Sequence, residues 1–318
     1  MRHTSRRQLV GLSLALSTLL PVAHGTAATA APGGQVTPVR SGLLAARMPG
    51  LQPGNRVSVD GVSLLVPRPG NGAWGAGIEV GGGHRILGIQ TGLDGSVTVY
   101  GHGALTGQGA AARAGSVART ARPSSACSDN YYSLTGSSWS STYDWYFKSS
   151  STPSEITSSD AINALRAAVV NLTHADNDCG LSDNVSATAH YEGVTTKSAN
   201  IGSGSTCNSS DGTNVVDFGN LAATDLGFAC WWTSGKKTVG SDMRLNSSEY
   251  TWAVNLDGCV AKYSVQDVAT HEFGHTYGLN DVSETLHPAL TMSAVMLPCQ
   301  NAETSLGLGD VKGLEALY

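Results

Sequence analysis

The sequence predicts an α+β fold, in which a small β-rich region precedes a domain that mixes strands and helices. Three observations predict this class. Apolar residues recur at helical spacing in residues 160–173 and again at Val265, Val268 and Ala269. Short alternating runs, separated by turn residues, dominate residues 32–125 and return at residues 185–194. All six cysteines follow residue 126, so the two regions also differ in composition.

The composition narrows the classes of function. A length of 318 residues favours two domains. The net charge is −5 and no basic patch is present, which argues against a nucleic-acid partner. Charged residues make up only 14%, and 39 residues are glycine. This low charge, with many Ser and Thr, is typical of a secreted bacterial protein.

Residues 1–30 form a predicted export signal. Arg2, Arg6 and Arg7 make a basic start, and residues 9–22 are a mildly apolar run that small residues follow. The run is too short and too soon interrupted to span a membrane. The paired arginines resemble a twin-arginine signal, and a general secretory signal is the alternative. We expect the mature protein to be extracellular, with no membrane association once the signal is removed.

Residues 31–125 form the β-rich region. The pairs Asp60-Gly61 and Asp94-Gly95 each lie between apolar runs, which predicts two hairpins. Two interpretations of this region remain open. It is either a propeptide that covers the active-site cleft until it is removed, or a retained binding module. The small, polar, Arg-containing stretch at residues 113–125 favours the first, because it is typical of an exposed proteolytic site.

The predicted catalytic domain covers residues 126–318. An even number of cysteines confined to one segment predicts three disulfides in an exported domain. Six cysteines allow fifteen pairings, and the spacing does not choose among them. The six are Cys127, Cys179, Cys207, Cys230, Cys259 and Cys299.

Local patterns predict further elements of this domain. Residues 160–173 form an amphipathic helix that begins near residues 158–160. Strands are predicted at 185–194, 215–218 and 242–245. A closing helix covers residues 309–318, with Asp310 as its cap.

The stretch after the first helix, residues 176–184, has two interpretations. It places Asp176, Asp178 and Asp183 at short spacing around Gly180, a composition that can hold Ca²⁺. A turn rich in Asp and Asn is the alternative, and the short run without a distal Glu favours the turn.

The segment with the clearest chemistry surrounds His271 and His275. These residues are four apart, which puts both imidazoles on one face of a helix, one turn apart. Glu272 projects to a neighbouring direction, from which it reaches a water held by a metal that both rings bind. This is the H-E-x-x-H pattern of a zinc hydrolase. Ser264, followed by Asp267, predicts the start of the helix.

The residues after this motif carry a family resemblance. Residues 271–281 read HEFGHTYGLND, in which Gly278 ends the helix and Asp281 follows the turn. This resembles the metzincin metalloproteases, whose signature H-E-x-x-H-x-x-G-x-x-H is followed by a methionine turn. Asp at the third position resembles the small secreted snapalysin-type proteases. The flanking segments SDMRLNSSEYTW and LTMSAVM are similar to bacterial matrixin-like proteases, and the resemblance covers residues 127–318.

The resemblance implies a fold and a function. The fold is a twisted mixed sheet with a backing helix, an active-site helix and a C-terminal helix. The function is a zinc endopeptidase that acts on proteins or peptides, and we expect a monomer. His271, His275 and Asp281 would hold one Zn²⁺, and Glu272 would be the general base. Met292 would form the methionine turn as an apolar floor.

Other assignments remain open beside these. The rival third ligands are His287 and Glu284, and Met296 is the rival turn methionine. The region before residue 126 lacks the cysteine with which animal matrix metalloproteinases cap their zinc. Four of its side chains are either a substitute ligand or ordinary surface residues: His84, His102, Asp94 and Glu79.

Two other classes of function compete with a protease made as a zymogen. The first is a secreted binding protein with a structural zinc site and a β-rich binding module. The presence of Glu272 argues against it, because a structural site needs no general base. The second is an amidohydrolase that acts on one specific target.

Overall fold

The computed structural model describes residues 45–81, 83–102, 124–293 and 296–318. The predicted export signal and nearly all of the Arg-containing stretch lie outside these residues. The strands of the N-terminal region are β1 (Ala46–Arg47), β2 (Arg56–Val59), β3 (Val62–Leu65), β4 (Asn71–Glu79), β5 (His84–Thr91) and β6 (Val97–His102).

The larger C-terminal region contains strands and helices. Its strands are β7 (Ser133–Leu134), β8 (Ser138–Trp139), β9 (Tyr143–Phe147), β10 (Ala189–Val194), β11 (Ile201–Gly202), β12 (Thr206–Cys207), β13 (Val215–Gly219), β14 (Asp225–Ser234), β15 (Lys237–Asn246), β16 (Trp252–Ala253), β17 (Tyr263–Ser264) and β18 (Leu279–Asn280). Its α-helices are α1 (Ser158–Thr173), α2 (Val265–Thr276) and α3 (Leu308–Glu315), and short 3₁₀ turns lie at Ser124–Cys127 and Ser149–Ser151.

One large mixed sheet organises both regions. Its order is β1-β6-β5-β4-β14-β15-β13-β9-β10, and β8 also pairs with β15. Strands β9, β10, β13 and β15 run parallel to one another. Strands β1, β4, β5, β6 and β14 pair antiparallel with their neighbours in this sheet. With α1 and α2 packed on the sheet, the predicted α+β class is confirmed.

Four of the six N-terminal strands, β1, β4, β5 and β6, are part of this sheet, whereas β2 and β3 lie in a separate four-stranded sheet of order β11-β12-β3-β2. Strand β4 pairs with β14 over nine residue pairs, from Asn71 with Ser234 to Glu79 with Asp225. The predicted hairpin at Asp60-Gly61 joins β2 to β3, and β3 pairs in turn with β12 of the C-terminal region. The second predicted hairpin joins β5 to β6. The predicted β-rich character of this region is therefore observed, but its strands are shared with the larger region.

Helix α1 packs against the active-site helix α2 and against strand β10. Its cap is Thr157, whose hydroxyl accepts a hydrogen bond from the amide of Asp160 at 3.1 Å, so the helix begins slightly before the predicted position. Its apolar face is buried. Asn171 of α1 donates to the hydroxyl of Thr270 on α2 at 3.0 Å, which fixes the two helices together.

Two strand predictions need correction. Residues 185–188 are not in a strand, because β10 begins at Ala189. The predicted strand at 242–245 is the end of the longer β15. The neighbouring β14 was not predicted at all. Its side chains are buried on both faces, so the run lacks the alternation that marks a half-exposed strand.

The three predicted disulfides are confirmed, and their pairings are resolved. They join Cys127 to Cys179, Cys207 to Cys230, and Cys259 to Cys299. The second ties β12 to β14. The third ties the loop before α2 to the chain that follows the methionine turn.

The stretch after α1 forms a turn held by Asn177. Its side-chain oxygen accepts hydrogen bonds from the amides of Cys179 at 3.0 Å and Leu181 at 2.9 Å. This is the Asp- and Asn-rich turn that the sequence favoured. Within the described part of the chain, no helix has the length and apolar character needed to cross a bilayer.

Candidate metal centre

Helix α2 presents the motif as the sequence predicts. It begins after Ser264, whose hydroxyl accepts from the amide of Asp267 at 3.2 Å. It ends at Thr276, and Gly278 follows with φ +94°. A Cβ at Gly278 would collide with the carbonyl oxygen of Ser137, so the turn requires glycine both for its conformation and for space. The turn brings Asp281 back toward the helix.

Three donor atoms converge after this turn. The Nε2 atoms of His271 and His275 lie 3.2 Å and 3.4 Å from Oδ1 of Asp281. All three side chains are completely buried. They form one of two groups with metal-ligand geometry in the described residues.

Hydrogen bonds fix which ring nitrogen is free to bind. The Nδ1 atom of His271 lies 2.9 Å from the carbonyl oxygen of Thr291, and that of His275 lies 3.1 Å from the carbonyl oxygen of Leu279. A carbonyl only accepts, so each Nδ1 carries the proton and donates it. Each Nε2 therefore presents a lone pair toward Asp281, the arrangement of a metal-ligating histidine.

These atoms fit a zinc ion. A tetrahedral zinc with bonds of about 2.0–2.1 Å places neighbouring ligand atoms about 3.3–3.4 Å apart, which matches the two distances to Asp281. Both Nε2 atoms and both Asp281 oxygens are buried and have no hydrogen-bond partner in the described structure. Two lone pairs facing a carboxylate without a proton or cation between them would be costly. The donor set therefore suits a cation, and two imidazoles with one carboxylate are a ligand set that Zn²⁺ accepts.

Glu272 lies beside the donor set with one free oxygen. Its Oε1 accepts from the amide of Ile78 in β4 at 3.3 Å, while the buried Oε2 has no hydrogen-bond partner among the described residues. Burial raises the pKa of the Glu272 carboxyl to about 8. A Cβ at Gly227 of β14 would lie 2.8 Å from Oε1. Gly227 therefore lets β14 approach the carboxylate closely, and an isolated Gly in an apolar run was the available signal.

The electrostatics of Asp281 involve a residue of the N-terminal region. Burial alone would raise the pKa of the Asp281 carboxyl, but His275, His84 and His271 outweigh it and hold this pKa well below its usual range. His84 is buried at the start of β5, opposite Ile78 in the register. The interpretation of His84 as an ordinary surface residue is therefore wrong.

The other three side chains grouped with His84 have different surroundings. Asp94 is exposed in the turn before β6. Glu79 forms an ion pair with Arg85 at 2.9 Å. The side chain of His102 lies outside the described structure.

Met292 and Asp310 support the donor set from below. Met292 is buried, and its sulfur occupies the space that a Cβ at Gly274 would need. Asp310 accepts hydrogen bonds from the amides of Thr291 at 2.8 Å and Met292 at 3.2 Å. Since the carbonyl of Thr291 orients His271, Asp310 positions a donor. It also accepts from the amide of Gly307 at 2.9 Å. Gly307, and not the predicted Asp310, is the N-cap of α3, which ends at Glu315 and not at residue 318. The sequence indicated only a capping role for Asp310.

The rival assignments lie elsewhere. His287 pairs with Asp129 at 2.8 Å and stacks on Tyr131. Neither His287 nor Glu284 joins the donor group. Met296 is also buried in the main core cluster, but the contact with Gly274 belongs to Met292.

An aromatic stack closes the site from the side of β14. The ring of Trp231 lies parallel to that of His275 with centroids 5.9 Å apart. On its other side, Trp231 stacks on Trp74 of β4 at 6.1 Å. His271, Glu272 and His275 are each 0% exposed. The N-terminal region therefore shields the site from solvent.

The fold and the donor set resemble those of the metzincin zinc metalloproteases. Residues 209–318 match the family model described as Matrixin (Peptidase M10), so the resemblance to matrixin-like proteases is confirmed over this part of the chain. The matched residues include β14, α2, the turn to Asp281 and α3. No curated protein matches the chain.

Proposed function

We propose that this protein is a secreted zinc-dependent endopeptidase made as a zymogen. His271, His275 and Asp281 hold the zinc, and Glu272 is the general base. One observation carries this proposal: two lone-pair nitrogens and a carboxylate lie at tetrahedral spacing beside the free oxygen of Glu272. The three disulfides and the predicted export signal support secretion.

The chemistry follows from the positions of these groups. Zinc bound there supplies a Lewis acid that polarises a peptide carbonyl and lowers the pKa of water. Oε2 of Glu272 takes a proton from the attacking water and passes it to the leaving amine. Burial suits this role, because it raises the pKa of the carboxyl to about 8, and a general base works best when its pKa lies near the operating pH. Asp310 and the two carbonyls hold the imidazoles in their binding orientation.

The zymogen proposal rests on the position of β4. An extended peptide binds an exposed sheet edge by adding a strand. The edge of β14 is the one next to Glu272, and β4 occupies it. A substrate strand and β4 would compete for the same backbone groups, so the described arrangement is closed to substrate.

A structural zinc site in a secreted binding protein is the second candidate function. The complete burial of the three donors favours it, because structural sites are closed. The free Oε2 of Glu272 disfavours it. A buried carboxylate oxygen without a partner is destabilising, and a structural zinc site does not need one.

Hydrolysis of casein by the protein after proteolytic removal of residues 45–102 tests the proposal. We expect activity that a chelator abolishes and added zinc restores. The Glu272→Gln variant keeps the zinc ligands, so it should bind zinc normally and lose at least about a hundredfold in kcat. Full activity of this variant with zinc bound would show that the general-base assignment is wrong, and absence of any hydrolysis by the wild type would favour the structural site.

A further inference from the structure

We propose that residues 45–102 remain bound after the chain is cut between residues 103 and 123. The product of such a cut is a two-chain complex, in which the smaller chain still blocks the site. That it acts as an inhibitor rests on the proposed function, whereas its retention does not. We refer to residues 45–102 as the clamp and to residues 124–318 as the body.

The first support is the continuous backbone pairing. The nine residue pairs between β4 and β14 extend along the whole length of both strands. A second connection, between β3 and β12, lies in the separate four-stranded sheet of order β11-β12-β3-β2. If the clamp left, β14 would become a long apolar edge strand, which soluble proteins avoid.

The second support is a core built from both parts. One cluster of buried apolar residues contains eleven residues of the clamp and eight of the body. Phe228, Cys230 and Trp232 of β14 contribute to it, with Leu64 and Leu87 of the clamp among their partners in the cluster. The opposite face of β14 packs its Trp231 against the clamp as well. Dissociation would therefore expose apolar side chains on each face of β14 to water, at a cost proportional to the apolar area.

The third support is a buried ion pair. Arg85 of the clamp donates to the carboxylate of Asp225 and, at 3.1 Å, to the hydroxyl of Thr224. The Asp225 side chain is 1% exposed. Its second oxygen accepts from the hydroxyl of Ser205. Removal of the clamp would leave the Asp225 charge without its cation, which is strongly unfavourable.

Close backbone contact is the fourth support. A Cβ at Gly77 of β4 would lie 2.5 Å from Cδ2 of Phe228 and 2.6 Å from the carbonyl oxygen of Gly227. A Cβ at Gly75 would lie 2.8 Å from the sulfur of Cys207. The clamp therefore approaches the body at van der Waals distance, as in a protein interior and not as in a weak surface contact.

These contacts distinguish two routes of activation. If a cut between the regions were sufficient, the clamp would have to leave a shared sheet and a shared core spontaneously. The structure instead favours activation by destruction of the clamp, in which β4 is digested and the edge of β14 is freed.

The test places a recognition sequence for a site-specific protease between residues 103 and 123 of the full chain, with an affinity tag at the C-terminus. The chain is cut, immobilised through the tag and washed in native buffer. We expect one clamp to be retained per body, and casein hydrolysis to stay at the level of the uncut chain until the clamp is digested. Loss of the clamp during the native wash would overturn the proposal.

The design separates the two claims. Retention is also measured in the Glu272→Gln background, where self-digestion cannot contribute. If the clamp is retained but its digestion yields no hydrolysis, the retention proposal stands and the proposed function fails.

Two variants test the interface itself. Gly77→Leu places a side chain against the ring of Phe228 and the carbonyl of Gly227 in β14, and Arg85→Met removes the cation while its side chain retains a similar length. Each should speed the release of the cut clamp at least about tenfold. If Gly77→Leu does not fold, Arg85→Met alone provides the test. Gly101→Ala is the matched control, because its nearest neighbour is 3.8 Å away and it lies on β6, away from β14. Unchanged release in both variants would contradict the proposal.

Discussion

Two groups of His and carboxylate side chains in the described structure have similar composition but different surroundings. Each brings its ligand atoms within 4.8 Å of one another. The buried group is His271, His275 and Asp281, and the exposed group is Asp144, His190 and Glu192. In the buried group, each imidazole donates its Nδ1 proton to a backbone carbonyl. In the exposed group, Nδ1 of His190 faces Glu192 at 3.1 Å instead, and the side chains are 64% and 35% exposed.

This difference shows that a metal site depends on the burial and the hydrogen-bond partners of its side chains, and not only on residue type. In the buried group, carbonyls fix the tautomers, Asp310 fixes one of those carbonyls, and the donors have no alternative partner. In the exposed group, all three residues are open to solvent, and Nδ1 of His190 faces a carboxylate and not a carbonyl. We therefore expect substitutions with the same chemistry to have different effects in the two groups.

The largest expected effect is loss of zinc from Asp281→Ala. The substitution removes one of three ligands, and the two remaining imidazoles cannot complete a stable site. The affinity for zinc, measured by competition with a chromophoric chelator, should fall by more than about a hundredfold. This exceeds the usual effect of replacing a residue that only hydrogen-bonds to a ligand. Asp144→Ala is the matched control and should leave this affinity unchanged. Equal losses in the two variants would remove the distinction between the groups.

The next largest effect is expected from Asp310→Asn. The amide cannot accept all three hydrogen bonds that the carboxylate accepts from Thr291, Met292 and Gly307. The carbonyl that orients His271 should then shift, and zinc affinity should fall about tenfold to a hundredfold. The measurement is the same chelator competition.

Asp217→Asn provides the comparison for this prediction. Asp217 is a buried carboxylate that pairs with Arg244, away from the donor group. Its substitution should lower the free energy of unfolding but leave zinc affinity unchanged. A parallel loss of zinc affinity would mean that Asp310 acts through general stability.

The smallest effect is expected from Glu192→Gln. The exposed pair with His190 is screened by water, so the free energy of unfolding should change by less than about 1 kcal/mol. Chemical denaturation with zinc bound measures it. A larger change, or a change in zinc content, would indicate that the exposed group is a second metal site.

The parts of the site that are local in sequence could be predicted. The spacing of His271 and His275, the capping residue Ser264 and the turn at Gly278 each act over a few residues, so the pattern determines them. Asp281 follows the turn at the spacing that the family resemblance implies. The buried position of Met292 agrees with the floor that the same resemblance implies.

The remaining features depend on contacts between distant segments. Ile78 meets Glu272 because β4 pairs with β14, and nothing in either run specifies its partner. Trp231 lies in an apolar run without alternation, so the sequence pattern did not predict strand β14, which contains it. The burial of His84 follows from the shared sheet, and the disulfide pairings required the fold as a whole.

The position of zinc in crystals of the full chain tests the central claim most directly. Anomalous diffraction at the zinc absorption edge should show one strong peak, about 2.0–2.2 Å from Nε2 of His271, Nε2 of His275 and a carboxylate oxygen of Asp281. A peak at Asp144 and His190 with none at the buried group, or no peak in zinc-saturated crystals, would contradict the account.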